Sequence, residues 1–368
     1  MNNGLKILLW PFSVLFGLIT SIRNKLYDWN FLKETKFELH TIGVGNLSVG
    51  GAGKTPLVEY LIRLLQNENY RIATLSRGYK RKTKGFVIAS DTSTAADIGD
   101  EPLIFKSKYN VTVAVDASRV NGMKQLMALQ TEMPQVVLLD DVFQHRQIKC
   151  GLSILVTDFN KLYFNDRLLP YGTLRENPAG MNRADIVVIS KTPENISAVE
   201  MRQVTKDIKP LAHQRVYYSF LKYGELYSAS NPSDKLDTLN DLFRYTVVSF
   251  AGIANAEPMT NYLKEYAANA KHLPFADHYE FTIKDLQDIE AYYQTLGGGS
   301  KIMVTTEKDL MRLKSPELWD FVKGMNLYIL PVEISFKDKE EEFNQLILKY
   351  VRTNRIYHQK YSGQNQQL

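Results

Sequence analysis

The residues with the clearest potential for chemistry form a glycine-rich segment around residue 50. The chain there runs Gly45-Asn46-Leu47-Ser48-Val49-Gly50-Gly51-Ala52-Gly53-Lys54-Thr55. Glycines lack a Cβ, so the backbone can curl until its N–H groups face a phosphate. In such a loop the lysine reaches the β- and γ-phosphates of a nucleotide, and the next hydroxyl coordinates Mg²⁺. We therefore predict that ATP and magnesium are bound by Ser48, Val49, Gly50, Gly51, Ala52, Gly53, Lys54 and Thr55.

The strict P-loop pattern has glycine at the position of Ser48, so a chance glycine-rich turn is the alternative interpretation. The flanking sequence favours the P-loop. Residues 39–44 form a short apolar run that predicts a strand, and residues 55–66 have the pattern of a helix. A helix that begins just after the glycines directs the positive end of its dipole at a bound phosphate.

Two acidic residues follow a second apolar run. Residues 136–139 predict a buried strand, and Asp140 and Asp141 come directly after it. A P-loop site needs a carboxylate at the end of a neighbouring strand to hold the metal. Asp140 is the better candidate because it ends the apolar run, and a solvated pair of acids is the alternative. His145 lies close enough in sequence to reach the same site.

Other polar clusters follow predicted strands or open predicted helices, and by spacing alone each is only suggestive. Asp100 could serve simply as a helix N-cap, which needs no catalytic role. The clusters are Ser76-Arg77-Gly78-Tyr79, Gly99-Asp100-Glu101-Pro102, Leu174-Arg175-Glu176, Asp277-His278-Tyr279 and Thr305-Thr306-Glu307-Lys308-Asp309.

The elements that position these residues predict an α/β fold. Short apolar runs without alternation, separated by helical stretches, are typical of strands buried on both faces of a parallel sheet. We expect a P-loop, doubly wound, mostly parallel sheet, a second, smaller α/β domain and an N-terminal hydrophobic helix. The predicted boundaries are 1–30 for that helix, 31–215 for the ATP-binding domain, 216–235 for an extended linker, 236–335 for the second domain, and 336–368 for a C-terminal helix and polar tail.

The composition excludes several classes of protein. The 368 residues carry 45 basic and 40 acidic side chains, a net charge of +5, which does not indicate a nucleic-acid binder but suits anionic lipid or phosphate. One cysteine excludes a disulfide framework, and six scattered histidines do not form a zinc-binding pattern. The sequence leaves the oligomeric state open.

The N-terminal segment is unusually apolar. Residues 5–22 contain one charge, Lys6, and are followed by Arg23 and Lys25. No small-residue cleavage site of a signal peptide follows the apolar run. At this length, with Pro11 inside, a membrane-spanning helix is borderline, and a helix lying in the interface fits at least as well. A buried helix of the first domain is the alternative. We predict membrane association with the rest of the chain in the cytoplasm.

Taken in order, these segments resemble the tetraacyldisaccharide 4'-kinase family of lipid A biosynthesis, over nearly the whole chain. Beyond the clusters above, the resemblance includes Pro56, Phe143-Gln144-His145-Arg146, Leu169-Pro170, Gly172, Arg183-Ala184-Asp185 and Gly252-Ile253-Ala254. The Ser48 of the P-loop is usual in that family. The family usually has threonine where this chain has Ala52, and glycine where it has Val142. Valine disfavours the positive φ that glycine would allow, which puts the backbone path at Val142 in doubt but not the reaction.

The resemblance implies transfer of the ATP γ-phosphate to the 4'-hydroxyl of a tetraacylated glucosamine disaccharide 1-phosphate. The reaction would take place at the cytoplasmic face of the bacterial inner membrane. By the same resemblance Asp100 looks like the catalytic base and His278 like its partner from the second domain. Lys54 and Arg77 would neutralise charge in the transfer. Thr55, Asp140 and Glu176 are the predicted metal ligands, with Asp141, His145 and Arg175 as support.

Two rival functions stay open at this point. A membrane-associated P-loop switch would bind nucleotide without a lipid acceptor, although no guanine-reading Asn-Lys-x-Asp motif is present, and Ser190-Lys191-Thr192-Pro193 lacks its acid. A small-molecule kinase would need the N-terminal helix to be part of the core. Lipid-dependent phosphate transfer would distinguish the lipid kinase from both.

Overall fold

A computed structural model of the chain describes residues 3–129, 133–237, 240–297 and 299–353, with side chains from residue 8 onward. The polar tail predicted at the C-terminus lies outside these residues.

Strands and helices alternate along the described chain. The strands are β1 (Thr35–Lys36), β2 (His40–Gly45), β3 (Ile72–Ser76), β4 (Val87–Ile88), β5 (Thr112–Val115), β6 (Val136–Asp140), β7 (Ile148–Lys149), β8 (Leu152–Asp158), β9 (Ile186–Ser190), β10 (Arg215–Tyr223), β11 (Leu226–Ser228), β12 (Lys235–Leu236), β13 (Tyr245–Ala251), β14 (Asn269–Pro274), β15 (Ser300–Thr306), β16 (Leu327–Leu330) and β17 (Val332–Phe336). The helices are α1 (Asn3–Asp28), α2 (Lys54–Asn67), α3 (Ala95–Ile98), α4 (Asp100–Lys108), α5 (Arg119–Met127), α6 (Ala198–Ile208), α7 (Glu257–Tyr266), α8 (Ile283–Thr295), α9 (Glu307–Leu313), α10 (Pro316–Val322) and α11 (Glu340–Arg352).

The first domain is built on a nine-stranded sheet with the order β17-β10-β9-β8-β2-β6-β3-β5-β4. Neighbouring strands from β10 to β5 run parallel, and β17 and β4 are antiparallel at the two edges. The strands β2, β3, β6 and β9 are buried along their whole length, which explains their continuous apolar sequences. The predicted α/β fold is confirmed.

The second domain has a six-stranded sheet with the order β12-β11-β16-β15-β13-β14. Its four strands β14, β13, β15 and β16 run parallel, and β11 is antiparallel to both of its neighbours. This sheet is the second, smaller α/β unit expected from the sequence. It carries α9, which faces the first domain.

The chain passes between the two sheets at two adjacent points. β10 pairs with β9 and β11 pairs with β16, so the first crossing lies at Gly224. The return crossing lies at Pro331, whose carbonyl accepts a hydrogen bond from the Gly224 N–H at 3.1 Å. The linker expected over residues 216–235 is thus occupied by strands of both sheets. Short extended runs have the same sequence pattern whichever sheet they join, so pattern alone placed this boundary incorrectly.

The residues after Pro331 return to the first domain. β17 pairs antiparallel with β10, and the rings of Phe336 and Phe343 lie 4.4 Å apart, beside Tyr217. The second domain expected over residues 236–335 therefore begins earlier, at β11, and ends at β16. An antiparallel strand that returns to a distant edge leaves no local signal in the sequence.

Helix α1 lies against the first domain by one narrow face. Ser13 Oγ donates to the Leu168 carbonyl at 2.8 Å, and a Cβ on Gly17 would meet Leu168 Cδ1 at 2.6 Å. The opposite face is apolar and exposed: Leu8, Trp10, Phe12, Val14, Leu15, Leu18, Ile19 and Ile22 are each at least 50% exposed. The alternative of a buried core helix is therefore wrong. None of the helices in the described residues has the length and apolar character of a membrane span.

Candidate active site

The P-loop connects β2 to α2 at the carboxyl end of the first sheet. Gly50 and Gly53 have φ angles of 106° and 81°, which residues with a side chain rarely adopt. Two hydrogen bonds to other segments of the first domain fix the loop. The Val49 N–H donates to the Thr173 carbonyl at 2.8 Å, and Ser190 Oγ donates to the Ala52 carbonyl at 2.6 Å. Within the described residues the N–H groups of Gly51 and Gly53 donate to no acceptor. The loop can therefore offer these donors to a phosphate.

Lys54 and Thr55 form the first turn of α2, beside the acids. Lys54 Nζ lies 3.2 Å from Asn46 Oδ1 and 3.3 Å from Asp141 Oδ1. The buried Thr55 hydroxyl donates to Glu101 Oε1 at 3.1 Å. The structure thus places the predicted lysine, hydroxyl and carboxylates next to one another.

Asp140 and Asp141 have opposite electrostatic environments. Asp140 ends β6 and is paired in register with Val44 of β2, and burial together with the charge of Glu101 raises its pKa to about 7. Burial also raises the pKa of Asp141, but the charges of Lys54 and Arg175 outweigh it and bring that pKa to about 2. Asp141 is therefore a permanent anion, whereas the charge of Asp140 depends on what binds beside it.

The residues present fit a magnesium ion held together with nucleotide phosphates. Asp140 is 1% exposed, and its Oδ1 has no hydrogen-bond partner in the described residues. Magnesium takes few protein ligands and keeps phosphates and waters. Within the same described residues no group of three or more His, Cys, Asp or Glu side chains is placed to hold a metal ion. Thr55 and Asp140 would hold the ion. When bound, magnesium neutralises charge on the β- and γ-phosphate oxygens.

Glu176 is engaged elsewhere. Its Oε2 accepts from Asn24 Nδ2 at 2.8 Å, its Oε1 accepts from Gln144 Nε2 at 2.9 Å, and Arg183 Nη2 lies 2.8 Å from both. Because these donors use both oxygens, Glu176 joins α1 to the first domain and is not free to bind a metal. The predicted metal role of Glu176 does not agree with this structure.

The other predicted residues of the first domain surround the acids. Arg175 Nη1 donates to Asp141 Oδ2 at 2.8 Å. Burial and the charges of Arg119 and Arg77 lower the pKa of His145 to about 4, so this imidazole is neutral at pH 7. Arg77 is exposed and has no ion-pair partner among the described residues. It is free to meet an anion at the edge of the site.

Asp100 and His278 meet across the two domains. His278 Nδ1 lies 3.0 Å from Asp100 Oδ2. Gly99, with a φ of 93°, is the N-cap of α4, and Asp100 is the first residue of the helix itself. The N-cap interpretation of Asp100 is therefore wrong. The loop that carries His278 is fixed by a hydrogen bond from the His278 N–H to the Gly252 carbonyl at 2.9 Å.

Arg312 is the residue in this contact that sequence reasoning missed. Its Nε and Nη2 lie 2.8 and 2.5 Å from Asp100 Oδ2. Burial raises the pKa of Asp100, but the hydrogen bond with His278 and the charge of Arg312 outweigh burial, so that pKa lies below its usual value. The sequence did contain one indication of Arg312. It follows Asp309, the last residue of the polar cluster at 305–309, by three positions, which places both side chains on one face of a helix.

Glu101 and Lys308 form a second link between the domains, also missed. Lys308 Nζ lies 2.7 Å from Glu101 Oε1, the same oxygen that accepts from Thr55. The P-loop hydroxyl, the first turn of α4 and the second domain are therefore joined by consecutive hydrogen bonds. Both residues belong to polar clusters recognised in the sequence, at 99–102 and 305–309, but their spacing did not predict that they form an ion pair.

Comparison with known proteins identifies the family. The family profile described as tetraacyldisaccharide-1-P 4'-kinase matches residues 5–352. The chain belongs to this family. The tetraacyldisaccharide 4'-kinase of Flavobacterium johnsoniae is 45% identical, covering 96% of this chain and 99% of that protein, and the one of Bacteroides thetaiotaomicron is 43% identical, covering 94% and 93%. The LpxK protein of Aquifex aeolicus, solved in complex with ATP, has a TM-score of 0.71 at 31% identity, covering 94% of this chain and 99% of that one.

Membership of the tetraacyldisaccharide-1-P 4'-kinase family confirms the predicted resemblance and the predicted class of ATP-dependent kinase. The concern about Val142 is also resolved. The left-handed residue is Asp141, with a φ of 48°, and Val142 is 5% exposed and packs in the core. The departure from the family's glycine therefore causes no backbone strain at Val142.

Proposed function

We propose that this chain transfers the γ-phosphoryl group of ATP to the 4'-hydroxyl of a tetraacylated glucosamine disaccharide 1-phosphate, at the cytoplasmic face of the inner membrane. The observation that carries the proposal is the 3.0 Å contact between Asp100 and His278. It lies next to Glu101, which accepts from the P-loop hydroxyl of Thr55. A base beside the P-loop serves an acceptor hydroxyl, which a nucleotide switch does not have.

The chemistry follows from these positions. The acceptor oxygen forms a bond to the γ-phosphorus while the bond to the bridging oxygen of ADP breaks. Asp100 takes the proton of the hydroxyl, and His278 passes it towards solvent. Phosphoryl transfer relies mainly on positioning and charge neutralisation, so a base with a lowered pKa suffices to orient the hydroxyl. Lys54 and Arg77 supply positive charge to the transferring group.

The exposed face of α1 supports work at a membrane surface. Its large apolar side chains are each at least 50% exposed, and Arg23 and Lys25 follow them in the same helix. A helix with this distribution buries its apolar face in the acyl boundary while its cations meet lipid phosphates. The acceptor lipid has the same amphipathic character, so one surface would hold both enzyme and substrate.

The proposal is tested by phosphate transfer from labelled ATP to a detergent-dispersed disaccharide lipid, compared with ATP alone. Single Asp100→Ala and His278→Ala variants should each lose kcat with little change in the KM for ATP. The double variant should be little worse than the poorer single variant, because residues that act as a unit are non-additive. Hydrolysis without lipid-dependent transfer would support a switch instead, and fully additive losses would mean that the two residues act independently.

A further inference from the structure

The guanidinium of Arg312 is fully used at the cleft between the domains. Beyond its two contacts with Asp100 Oδ2, Nη2 lies 3.2 Å from His278 Nδ1. Nη1 donates to the Gly252 carbonyl at 2.9 Å and to Asp309 Oδ1 at 2.8 Å. An arginine has five N–H donors in a rigid plane, and here each one faces an acceptor. The Arg312 side chain is only 8% exposed.

The support for Arg312 comes from its own domain. The Asp309 carboxylate is buried and accepts from the Gly252 N–H at 3.1 Å and from Thr306 Oγ1 at 2.7 Å. A carboxylate held by these donors cannot turn, so the guanidinium it binds is also fixed. Arg312 is therefore a rigid part of the second domain that reaches into the first.

The contacts on Asp100 are uneven. Arg312 and His278 both approach Oδ2, whereas Oδ1 accepts no hydrogen bond from the described residues. The Asp100 side chain is 14% exposed. Its Oδ1 has no partner in the described residues and is not enclosed by protein atoms. Oδ1 is thus the oxygen open to the cleft. The other charged groups near Asp100 are Lys308 and Asp309 on α9, Glu101 on its own helix, and Asp277 behind His278.

We propose that Arg312 is the positioning residue of the phosphoryl transfer: by holding Oδ2 of Asp100 with two N–H groups, it aims Oδ1 at the acceptor hydroxyl. This inference rests on the proposed function of Asp100 as the base. A lysine at this position would bring a similar charge but only a single nitrogen, without the second nitrogen of the guanidinium that also contacts Oδ2. Catalysis depends on such placement, because small displacements of a reacting group cost large factors in rate.

The same guanidinium also meets His278. Its Nη2 lies 3.2 Å from His278 Nδ1, the ring nitrogen that lies 3.0 Å from Asp100 Oδ2. Arg312 therefore fixes the carboxylate and the imidazole relative to each other, and both groups of the proposed proton transfer depend on its placement.

The test compares full-length Arg312→Gln and Arg312→Lys enzymes with Arg244→Gln, an exposed arginine of the second domain. We expect Arg312→Gln to lose about 10²-fold in kcat, the order found on removing one preorganised donor, with the KM for ATP within about twofold. Arg312→Lys should recover part of the loss but stay about tenfold below wild type, and Arg244→Gln should match wild type. In an Asp100→Ala background, Arg312→Gln should add less than about threefold, since it acts through Asp100.

The outcomes separate this inference from the function on which it rests. Near wild-type kcat in Arg312→Gln, or an equal further loss in the Asp100→Ala background, would overturn it. Parallel loss of ATP affinity and thermal stability in Arg312→Gln would also overturn it, since Arg312 would then only join the domains. If Arg312→Gln fails to fold, full activity in Arg312→Lys overturns the inference and a kcat-specific loss supports it. Full activity of Asp100→Ala instead would refute the proposed base, whatever the Arg312 variants do.

Discussion

At the scale of single residues, two neighbouring acids perform different tasks because of what surrounds them. Asp141 faces Lys54 and Arg175, and its pKa is brought to about 2, so it holds both cations in place at any ordinary pH. Asp140 is enclosed, keeps one oxygen without a partner, and has a pKa raised to about 7. An approaching cation would stabilise its charged form, as a metal ligand requires.

Lys54 should be required for turnover but not for the fold. The lysine neutralises charge that develops on the transferring phosphoryl group, an interaction strongest in the transition state. We expect Lys54→Ala to lose about 10²-fold or more in kcat, the order found for one preorganised donor. Circular dichroism should match wild type, whereas the unfolding temperature should fall, because Asp141 loses one of its two cations. Lys206→Ala, an exposed lysine of α6, serves as the control. Wild-type turnover in folded Lys54→Ala would remove the P-loop lysine from the mechanism.

His145 should make the enzyme sensitive to mild acid. Its folded pKa is about 4, because burial and the charges of Arg119 and Arg77 disfavour the imidazolium, against an ordinary value of 6.5. Between these values the unfolded chain binds more protons, so stability falls as the pH drops from about 6.5 towards 4. Replacement by asparagine removes this proton uptake and should reduce the acid-induced loss by about 1 to 3 kcal/mol.

The measurement is the free energy of unfolding at pH 7 and pH 5 for wild type and His145→Asn. His213→Asn, at an exposed histidine, is the matched control and should keep the full acid dependence. An unchanged difference between the two pH values in His145→Asn would show that this imidazole is accessible to protons in the folded state.

The sequence was most informative where chemistry depends on local pattern. The P-loop, Asp140 and Asp141 follow from strand, loop and helix signals, and the structure places them together. The contact of Asp100 with His278 was expected from the family resemblance alone, because no spacing joins residues so distant in sequence. Arg312 was not expected at all. Apart from Asp309 on the same helix, its partners come from three separate segments that only the assembled second domain and cleft bring together.

At the scale of elements, α1 combines two faces with different partners. Its narrow face carries Ser13, Gly17 and Asn24, which meet Leu168 and Glu176 in the first domain. Small and polar residues permit this close approach and leave the large apolar side chains outside. The sequence predicted an apolar helix, but its composition could not distinguish a buried face from an exposed one.

The exposed face of α1 should control attachment to membranes. We expect Leu15→Ser, Ile19→Ser and Ile22→Ser together to weaken binding to anionic vesicles by about 10²-fold or more, since each buried aliphatic side chain contributes about 1.5 to 3 kcal/mol. The KM for dispersed lipid should rise, and the KM for ATP should not. These side chains are 55%, 57% and 50% exposed, so the fold loses little.

A control triple variant replaces exposed apolar residues elsewhere, Val199→Ser, Leu211→Ser and Phe243→Ser. It should bind vesicles as wild type does. Deletion of residues 1–24 should release the protein too, although it also removes the Asn24 contact with Glu176. Undiminished vesicle binding by the α1 triple variant at ordinary salt would place the anchor elsewhere in the chain.

At the scale of the whole molecule, the two domains are joined by two adjacent crossings of the chain and by charge pairs. The crossings at Gly224 and Pro331 are hydrogen-bonded to each other. Across the cleft, α4 meets α9 through Asp100 with Arg312 and through Glu101 with Lys308. The contacts of the proposed base therefore exist only while the domains are docked, which would link the stability of the interface to the proposed chemistry.

Lys108 should be the strongest test of this interface. Its Nζ lies 2.8 Å from Glu59 Oε2 of α2 and 2.8 Å from Glu307 Oε1 of α9, so one cation joins two carboxylates from different domains. Glu59 is 3% exposed, and burial raises its pKa although Lys108 opposes this. Lys108→Met leaves the two carboxylates facing each other, and breaking a buried pair in this way costs about 3 to 5 kcal/mol.

The pH dependence of that loss distinguishes its cause. Without the lysine, Glu59 should bind a proton more tightly in the folded chain than in the unfolded one, so its contribution to stability falls as the pH rises. The deficit of Lys108→Met relative to wild type should therefore grow between pH 5.5 and pH 8, measured by chemical denaturation. Lys106→Met is the matched control on the same helix. Lys106 pairs at 2.8 Å with Asp91, whose side chain is 96% exposed. Because exposed ion pairs contribute little, this substitution should lower the free energy of unfolding by less than about 1 kcal/mol. A deficit for Lys108→Met that is equally small, or that shrinks as the pH rises, would show that the carboxylates are hydrated and that the domains do not depend on this cation.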